Sequence, residues 1–144
     1  MNTASAVVVA VTFIWLGMVL AISFLEAPLK FRAPGVTLPI GLGIGRLVFR
    51  ALNTAETLWS VVIVVALIAG TFSGSTITVT AGVAMAMLAI QLIAVRPRLT
   101  RRSDAVLAGH EGPRSHAHLV YVVLEIIKVV ALVWLGVALL SAPA

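Results

Sequence analysis

Four stretches of this sequence are each apolar over about the 20 residues that an α-helix needs to cross the hydrocarbon core of a bilayer. They cover roughly residues 6–25, 47–69, 77–95 and 119–140. Their apolar residues run continuously and do not alternate with polar ones, as they would in the strands of a membrane barrel. We therefore expect an all-α polytopic membrane protein, in which residues 1–144 form a single four-helix transmembrane domain folded as an antiparallel bundle.

The composition supports a membrane location. Hydrophobic residues make up 61% of the chain and charged residues 10%, whereas ordinary soluble domains are about 45–50% apolar and about 25% charged. The chain has no cysteine, which excludes disulfides, thiolate metal sites and thiol catalysis. The first apolar stretch follows no basic segment and is longer than the core of a signal peptide, so we expect it to be a retained transmembrane helix.

Positive charge is distributed unevenly over the connections between these stretches. Nine of the ten Lys and Arg residues lie in or beside the first and third connections: Lys30, Arg32, Arg46, Arg50, Arg96, Arg98, Arg101, Arg102 and Arg114. The middle connection and both termini contain none. Since short loops rich in Lys and Arg stay in the cytoplasm, we predict cytoplasmic basic loops and extracytoplasmic termini in the inner (plasma) membrane. The bilayer accounts for these cations, and we expect no nucleic-acid partner.

Two loop motifs favour structural interpretations. The stretch GLGIG, residues 41–45, has neither the preceding strand nor the third glycine of a dinucleotide-binding motif, and we interpret it as a flexible or closely packed start of the second helix with a Gly-xxx-Gly spacing. His110, His116 and His118 form no zinc-ligand pattern. We therefore expect a solvated loop containing histidines and no metal site.

Three ionisable residues fall inside the apolar stretches: Glu56, Glu125 and Lys128. Each costs at least about 2.5–3.5 kcal/mol near the centre of a membrane helix. At 1.5 Å per residue, Glu56 and Lys128 both lie about 13 Å from the basic end of their helices. We therefore predict that these two residues meet. One ammonium cannot neutralise two carboxylates, so we expect one glutamate to bind and release a proton.

Other polar residues follow the same helical faces. The fourth stretch carries a polar stripe at intervals of 3, 4 and 3 residues, formed by His118, Tyr121, Glu125 and Lys128, and the second carries one formed by Asn53, Glu56 and Ser60. These stripes predict a polar seam inside the bundle. Two interpretations remain open: an internal ion pair that orients the helices, and a pathway for protons, cations or a polar substrate.

The segment FLEAPLKFRAPG, residues 24–35, follows the first apolar stretch. Because Pro28 has no N–H and disfavours helical geometry at Ala27, we predict that the first helix ends around Leu25 to Ala27. Glu26 would then lie at the cytoplasmic boundary. It is either a solvated end group or the cytoplasmic entrance to the seam.

A shift of 69 residues suggests an internal repeat. It superposes Pro28 on Pro97, Arg32 on Arg101, Gly43 on Gly112 and Glu56 on Glu125. Each half then contains a helix, a proline-containing basic segment and a helix with an embedded glutamate. Parallel repeats of this kind occur among transporters.

The segment FLEAPLKFRAPG followed by GIGRLVFRALNTAE has a first helix ending in an "AP…F" turn (Ala27, Pro28 and Phe31) and a glycine- and phenylalanine-containing start of the second helix. In this it resembles the uncharacterised four-helix membrane proteins of the family that includes a eukaryotic transmembrane protein linked to platinum-drug resistance. The resemblance implies four helices. The family has no established catalytic residue to carry over, and whether the chain binds a cofactor stays unknown.

The function predicted from the sequence is a transporter or permeation pathway for a cation, a proton or a small polar substrate. The pathway residues would be Glu56, Glu125, Lys128, Asn53, His118, Tyr121 and Glu26. The alternative is a non-catalytic accessory or assembly subunit with a structural Glu–Lys pair. An enzyme is less favoured, because His118 near Glu125 has neither a nucleophile nor a metal cluster beside it. The small-residue pairs Gly17–Ala21 and Gly82–Ala86 predict contact with further copies or with a partner membrane subunit.

Overall fold

The structure, a computed structural model, describes residues 1–72, 74–109 and 116–142. This part of the chain is all-α and has four helices that are long and apolar enough to cross a membrane. They are α1 (Thr3–Lys30), α2 (Leu38–Ala69), α3 (Ser75–Leu107) and α4 (His116–Ser141). The helices extend beyond the apolar stretches, because α1, α2 and α3 continue into the basic segments that the sequence analysis treated as connections.

The starts of the helices follow from local chemistry. The side chain of Asn2 accepts a hydrogen bond from the Ser5 N–H at 2.8 Å and caps α1. Thr37 caps α2 by accepting from the Ile40 N–H at 3.4 Å, and Pro39 stands in the first turn, where a missing N–H costs nothing. Gly74 precedes α3 with φ 96°, a backbone conformation that suits glycine.

The main helix contacts in the described residues join α1 to α2, α1 to α4, α3 to α4 and α2 to α3. Consequently α2 and α4 face each other across the middle. The half of the bundle away from the basic segments is filled by fully buried apolar side chains such as Val8, Trp15, Ile63, Leu132 and Leu135. The outer faces are apolar too, as the exposed side chains of Ile68 and Ile93 show. An apolar exterior around a core with buried charges is suited to lipid.

Two π-helical segments interrupt the α-helices, Leu20–Glu26 in α1 and Gln91–Val95 in α3. At the end of each, a backbone N–H donates to the carbonyl five residues earlier: Ala27 to Ile22, and Arg96 to Gln91. Each segment is separated from a following proline by one residue, Ala27 before Pro28 and Arg96 before Pro97, and such bulges are frequent at functional sites.

The predicted end of the first helix at Leu25 to Ala27 is wrong, because α1 continues to Lys30. The wider π turn changes the hydrogen-bond register before Pro28, so the proline stands in the first turn of a new α-helical segment, Ala27–Lys30. The start of the third connection is also helical, since Arg96–Leu107 forms an α-helix with its own proline in the first turn.

The two halves therefore share more than the sequence repeat indicated. Pro28 and Pro97, which are 69 residues apart, both follow a π segment. Gly112, another position of the repeat, lies outside the described residues.

Candidate functional site

A cluster of buried charges surrounds Lys128 in the middle of the molecule. Its Nζ lies 2.6 Å from Glu56 Oε2, 2.9 Å from Gln91 Oε1 and 2.5 Å from Glu125 Oε1. These four side chains are almost completely buried. The ammonium donates hydrogen bonds to Glu56 and Gln91 and forms an ion pair with Glu125, and the predicted meeting of Glu56 and Lys128 is confirmed.

The helix arrangement explains why these residues meet. Glu125 and Lys128 are three positions apart on α4 and share a face of that helix. Glu56 lies on α2, across the middle of the bundle, and the long side chain of Lys128 spans the distance between the two helices. Gln91 joins them from α3, at the first residue of its π segment.

Glu125 accepts more hydrogen bonds than Glu56 does. Ser23, in the π segment of α1, donates to Glu125 Oε2 at 2.6 Å, and Gln91 Nε2 donates to Oε1 at 3.3 Å. Glu56 has Lys128 on Oε2, while its buried Oε1 has no hydrogen-bond partner among the described residues. The Trp15 side chain lies beside the Glu56 carboxyl, but its Nε1 likewise lacks a hydrogen bond of normal geometry.

The cluster carries an excess of negative charge. Two ionised carboxylates and one ammonium leave one uncompensated charge in a buried part of the protein, which is strongly unfavourable. A proton on one carboxylate would make the cluster neutral. The arrangement is therefore chemically suited to bind one proton.

A cavity of about 730 Å³ lies between this cluster and the basic ends of the helices. Its inner end is formed by Ser23, Asn53, Tyr121 and Glu125. The Tyr121 hydroxyl donates to Asn53 Oδ1 at 3.4 Å, and the Tyr121 ring packs edge-to-face against Phe49, with centroids 5.9 Å apart. Glu125 thus connects the buried cluster to the cavity.

The outer part of the cavity is lined by cations from three helices: Lys30, Arg46, Arg50, Arg96 and Arg102. Lys30 Nζ is 3.6 Å from Glu26 Oε2, and Arg46 donates to Asp104 at 2.7 Å. Lys30 and Arg96 both approach the Phe49 ring, at 5.8 and 5.6 Å from its centroid. This concentration of charge faces the cavity as well as the surrounding solvent.

These cations were predicted only as loop charges, whereas in the structure they lie in a cavity wall. A helical spacing contained the relevant signal: Arg96, Leu99, Thr100 and Ser103 stand at positions i, i+3, i+4 and i+7, and all four line the cavity. This spacing places the four residues on one face only if the segment after Pro97 is helical, and a loop was expected there from the sequence.

The structure distributes the predicted pathway residues over three locations. Asn53, His118, Tyr121 and Glu125 line the cavity, whereas Glu56 and Lys128 belong to the buried cluster and do not line it. Glu26 does not line the cavity and forms an ion pair with Lys30. Ser60, part of the predicted stripe, donates to the backbone carbonyl of Glu56 at 2.9 Å.

The glycine-rich stretch at residues 41–45 and the histidines of the third connection were the other motifs that the sequence singled out. Gly41 is buried against Phe31, and a Cβ at this position would lie within overlap distance of the ring, so close packing at the start of α2 is confirmed. His116 is exposed and His110 lies outside the described residues. In the described ranges, no three His, Cys, Asp or Glu side chains are grouped so as to hold a metal ion.

Comparisons of the chain with protein-family models, with curated proteins and with solved structures find no match. Any function must therefore be inferred from the cluster and the cavity themselves.

Proposed function

We propose that this chain is a small membrane transport protein that couples protonation of its buried glutamates to the movement of a small polar substrate. The observation that carries the proposal is that two carboxylates share one ammonium in a buried site, and that one of them, Glu125, also lines a cavity. We further propose the orientation given by the positive-inside rule, with an antiparallel bundle, a cytoplasmic cavity mouth and extracytoplasmic termini in the plasma membrane.

A proton suits this site better than a metal cation. Five cationic side chains line the route from the basic ends of the helices and would repel an approaching metal ion. Protons instead reach a carboxylate through water and its hydrogen bonds. Of the ions considered from the sequence, the proton is therefore the one we retain.

The two glutamates have different roles in this proposal. Both carboxylate oxygens of Glu125 have partners, because Oε2 accepts from Ser23 and Oε1 accepts from Gln91 and contacts Lys128 Nζ. Glu56 has one unpartnered carboxylate oxygen among the described residues, so it is the better holder of the proton. Glu125 would receive a proton from the cavity and pass it to Glu56 through the cluster.

The location of the ion pairs suggests how a proton would change the structure. Glu56 belongs to the α1–α2 half, whereas Glu125 and Lys128 belong to the α3–α4 half. A proton on Glu56 would weaken the pair between the halves and leave the pair within α4 intact. The apolar core beyond the cluster closes the opposite side, so transport would require the halves to move apart there, as in transporters built from repeats.

The alternative, an accessory or assembly subunit, has one specific observation in its favour. The small residues Gly17, Ala21, Gly82 and Ala86 lie exposed on the outside of α1 and α3, where a second copy or another subunit could approach closely. In that case the Glu56–Lys128 pair would only stabilise the fold, and neither glutamate would change its protonation.

Infrared difference spectroscopy of the purified protein in nanodiscs distinguishes the two functions, because a protonated carboxyl has its own C=O band. We expect such a band to appear and disappear as the pH is changed, to be lost in Glu56→Gln, and to change its pH dependence in Glu125→Gln. Glu26→Gln is the control and should match the wild type. A spectrum without a titrating buried carboxyl would exclude the transport proposal and favour the structural subunit.

A further inference from the structure

The outer part of the cavity has more cations than carboxylate partners. Among the described residues, Lys30 pairs with Glu26 and Arg46 pairs with Asp104. The other three cations that line the cavity, Arg50, Arg96 and Arg102, have no ion pair in that part of the chain. Arg46 and Arg50 both lie close enough to Arg96 to repel it.

Membrane orientation alone does not account for cations inside a cavity. The charges that keep a loop in the cytoplasm need only be near the membrane end, and Arg98 and Arg101 meet that condition as exposed side chains that do not line the cavity. Arg96 lies on the same helix but is partly buried, with its guanidinium 5.6 Å from the centroid of the Phe49 ring. Repulsion between such groups is relieved when an anion binds between them.

The walls between the cations and the cluster are largely apolar. They include Phe24, Phe31, Leu42, Phe49 and Leu92. The volume of about 730 Å³ lies within the range of about 300–1,000 Å³ typical of small-molecule sites. A ligand that fits both parts has an anionic group for the guanidiniums and an apolar body for the phenylalanines.

Glycines in α2 give this wall its shape. A Cβ on Gly41 would overlap the Phe31 ring, and one on Gly45 would lie 3.1 Å from Lys30 Nζ. Without side chains at these positions, Phe31 and Lys30 can lie directly against α2. An aromatic wall and a cation are thus brought together at the same side of the cavity.

We propose that the cavity binds a phosphate-bearing amphiphile, with its phosphate between Arg50, Arg96 and Arg102 and its apolar part against the phenylalanine wall. Guanidinium groups bind phosphate oxygens in pairs of parallel hydrogen bonds, which favours phosphate as the anionic group. The inference rests on the proposed transport function in one respect, because it changes the substrate proposed for the same cavity from a small polar molecule to a phosphate ester with an apolar part. A phosphomonoester lipid has both parts, whereas a soluble phosphate such as glycerol 3-phosphate has only the anionic one.

Native mass spectrometry of the full chain in detergent tests the proposal with three ligands. Dioleoyl phosphatidate has the phosphate and the chains, dioleoylglycerol has the chains alone, and glycerol 3-phosphate has the phosphate alone. We expect phosphatidate to bind and dioleoylglycerol not to bind. If glycerol 3-phosphate displaces phosphatidate, the phosphate alone suffices for binding and the amphiphile assignment fails; if it does not, the apolar part is needed and the ligand is a phosphomonoester lipid.

Arg96→Gln and Arg98→Gln form a matched pair, since both remove one positive charge from the same helix. Loss of a hydrogen bond between charged groups should weaken phosphatidate binding about tenfold or more in Arg96→Gln. Arg98→Gln should bind as the wild type does. If Arg96→Gln does not fold, Arg102→Gln replaces it, with the same expected loss.

Equal binding of phosphatidate and dioleoylglycerol, or equal losses in the Arg96 and Arg98 variants, would overturn the assignment. The infrared experiment keeps this failure separate from that of the proposed function. A titrating carboxyl without phosphatidate binding would overturn only the ligand class, whereas phosphatidate binding without a titrating carboxyl would overturn only the proton coupling.

Discussion

Lys128 Nζ lies 2.6 Å from Glu56 Oε2, although the two residues belong to helices that face each other across the bundle. The pair joins the α1–α2 half to the α3–α4 half. The same ammonium also contacts Glu125 on its own helix, so it has one carboxylate on each side of the boundary between the halves. A change in the charge of Glu56 would therefore alter mainly the contact between the two halves.

This pair should show strong coupling in a double-mutant cycle. Lys128→Met leaves two buried carboxylates without their counter-ion and should lower the free energy of unfolding by about 3–5 kcal/mol. Combining it with Glu56→Gln removes one of those charges, so the double variant should be more stable than Lys128→Met alone. Unfolding in mixed micelles measures both. Additive losses would show that the residues are independent.

The Ser23 hydroxyl should contribute measurably to stability through its bond to the Glu125 carboxylate. Ser23→Ala removes a charge-assisted hydrogen bond and should lower the free energy of unfolding by about 1.5–3 kcal/mol. Ser60→Ala is the control, since that hydroxyl donates to a carbonyl of its own helix and should matter less. Equal effects of the two substitutions in thermal unfolding would argue against a supporting role of Ser23.

Two glycines in the same helix should respond oppositely to alanine. Gly43 has no atom within 4 Å of a Cβ position, so Gly43→Ala should stabilise α2 by up to about 1 kcal/mol through helix propensity. In Gly41→Ala the new methyl group would overlap Phe31 and displace the ring from the cavity wall. We expect a lower melting temperature and weaker phosphatidate binding for that variant. A stabilised Gly41→Ala with unchanged binding would contradict the described wall.

The proposed orientation is testable because the chain has no cysteine of its own. Ser75 and Ala108 are both exposed and stand near opposite ends of α3, so both are accessible to a thiol reagent after substitution by cysteine. Ser103, also near the basic end of α3, is unsuitable because it is buried in the cavity wall. In intact cells an impermeant maleimide should label Ser75→Cys, and should label Ala108→Cys only after permeabilisation. The opposite pattern would reverse the proposed topology.

The sequence by itself determined the helical class, the approximate positions of the spans and the pairing of Glu56 with Lys128. These predictions succeeded because they depend on quantities measured along one helix. The length of an apolar stretch identifies a span, and the constant rise per residue gives the depth of each buried charge. Equal depth was sufficient to predict the pair, since buried charges in lipid need a partner.

The tertiary structure decided which further groups join that pair and what lies beside it. Neither the contact of Ser23 and Gln91 with Glu125 nor the cavity lined by Arg96 follows from depth, because both depend on how each helix is rotated about its axis. The π segments before Pro28 and Pro97 alter that rotation and let the helices continue, although at Pro28 the sequence rule for proline predicted an end. Rotation is set by packing between helices that are distant in sequence, so only the folded chain reveals it.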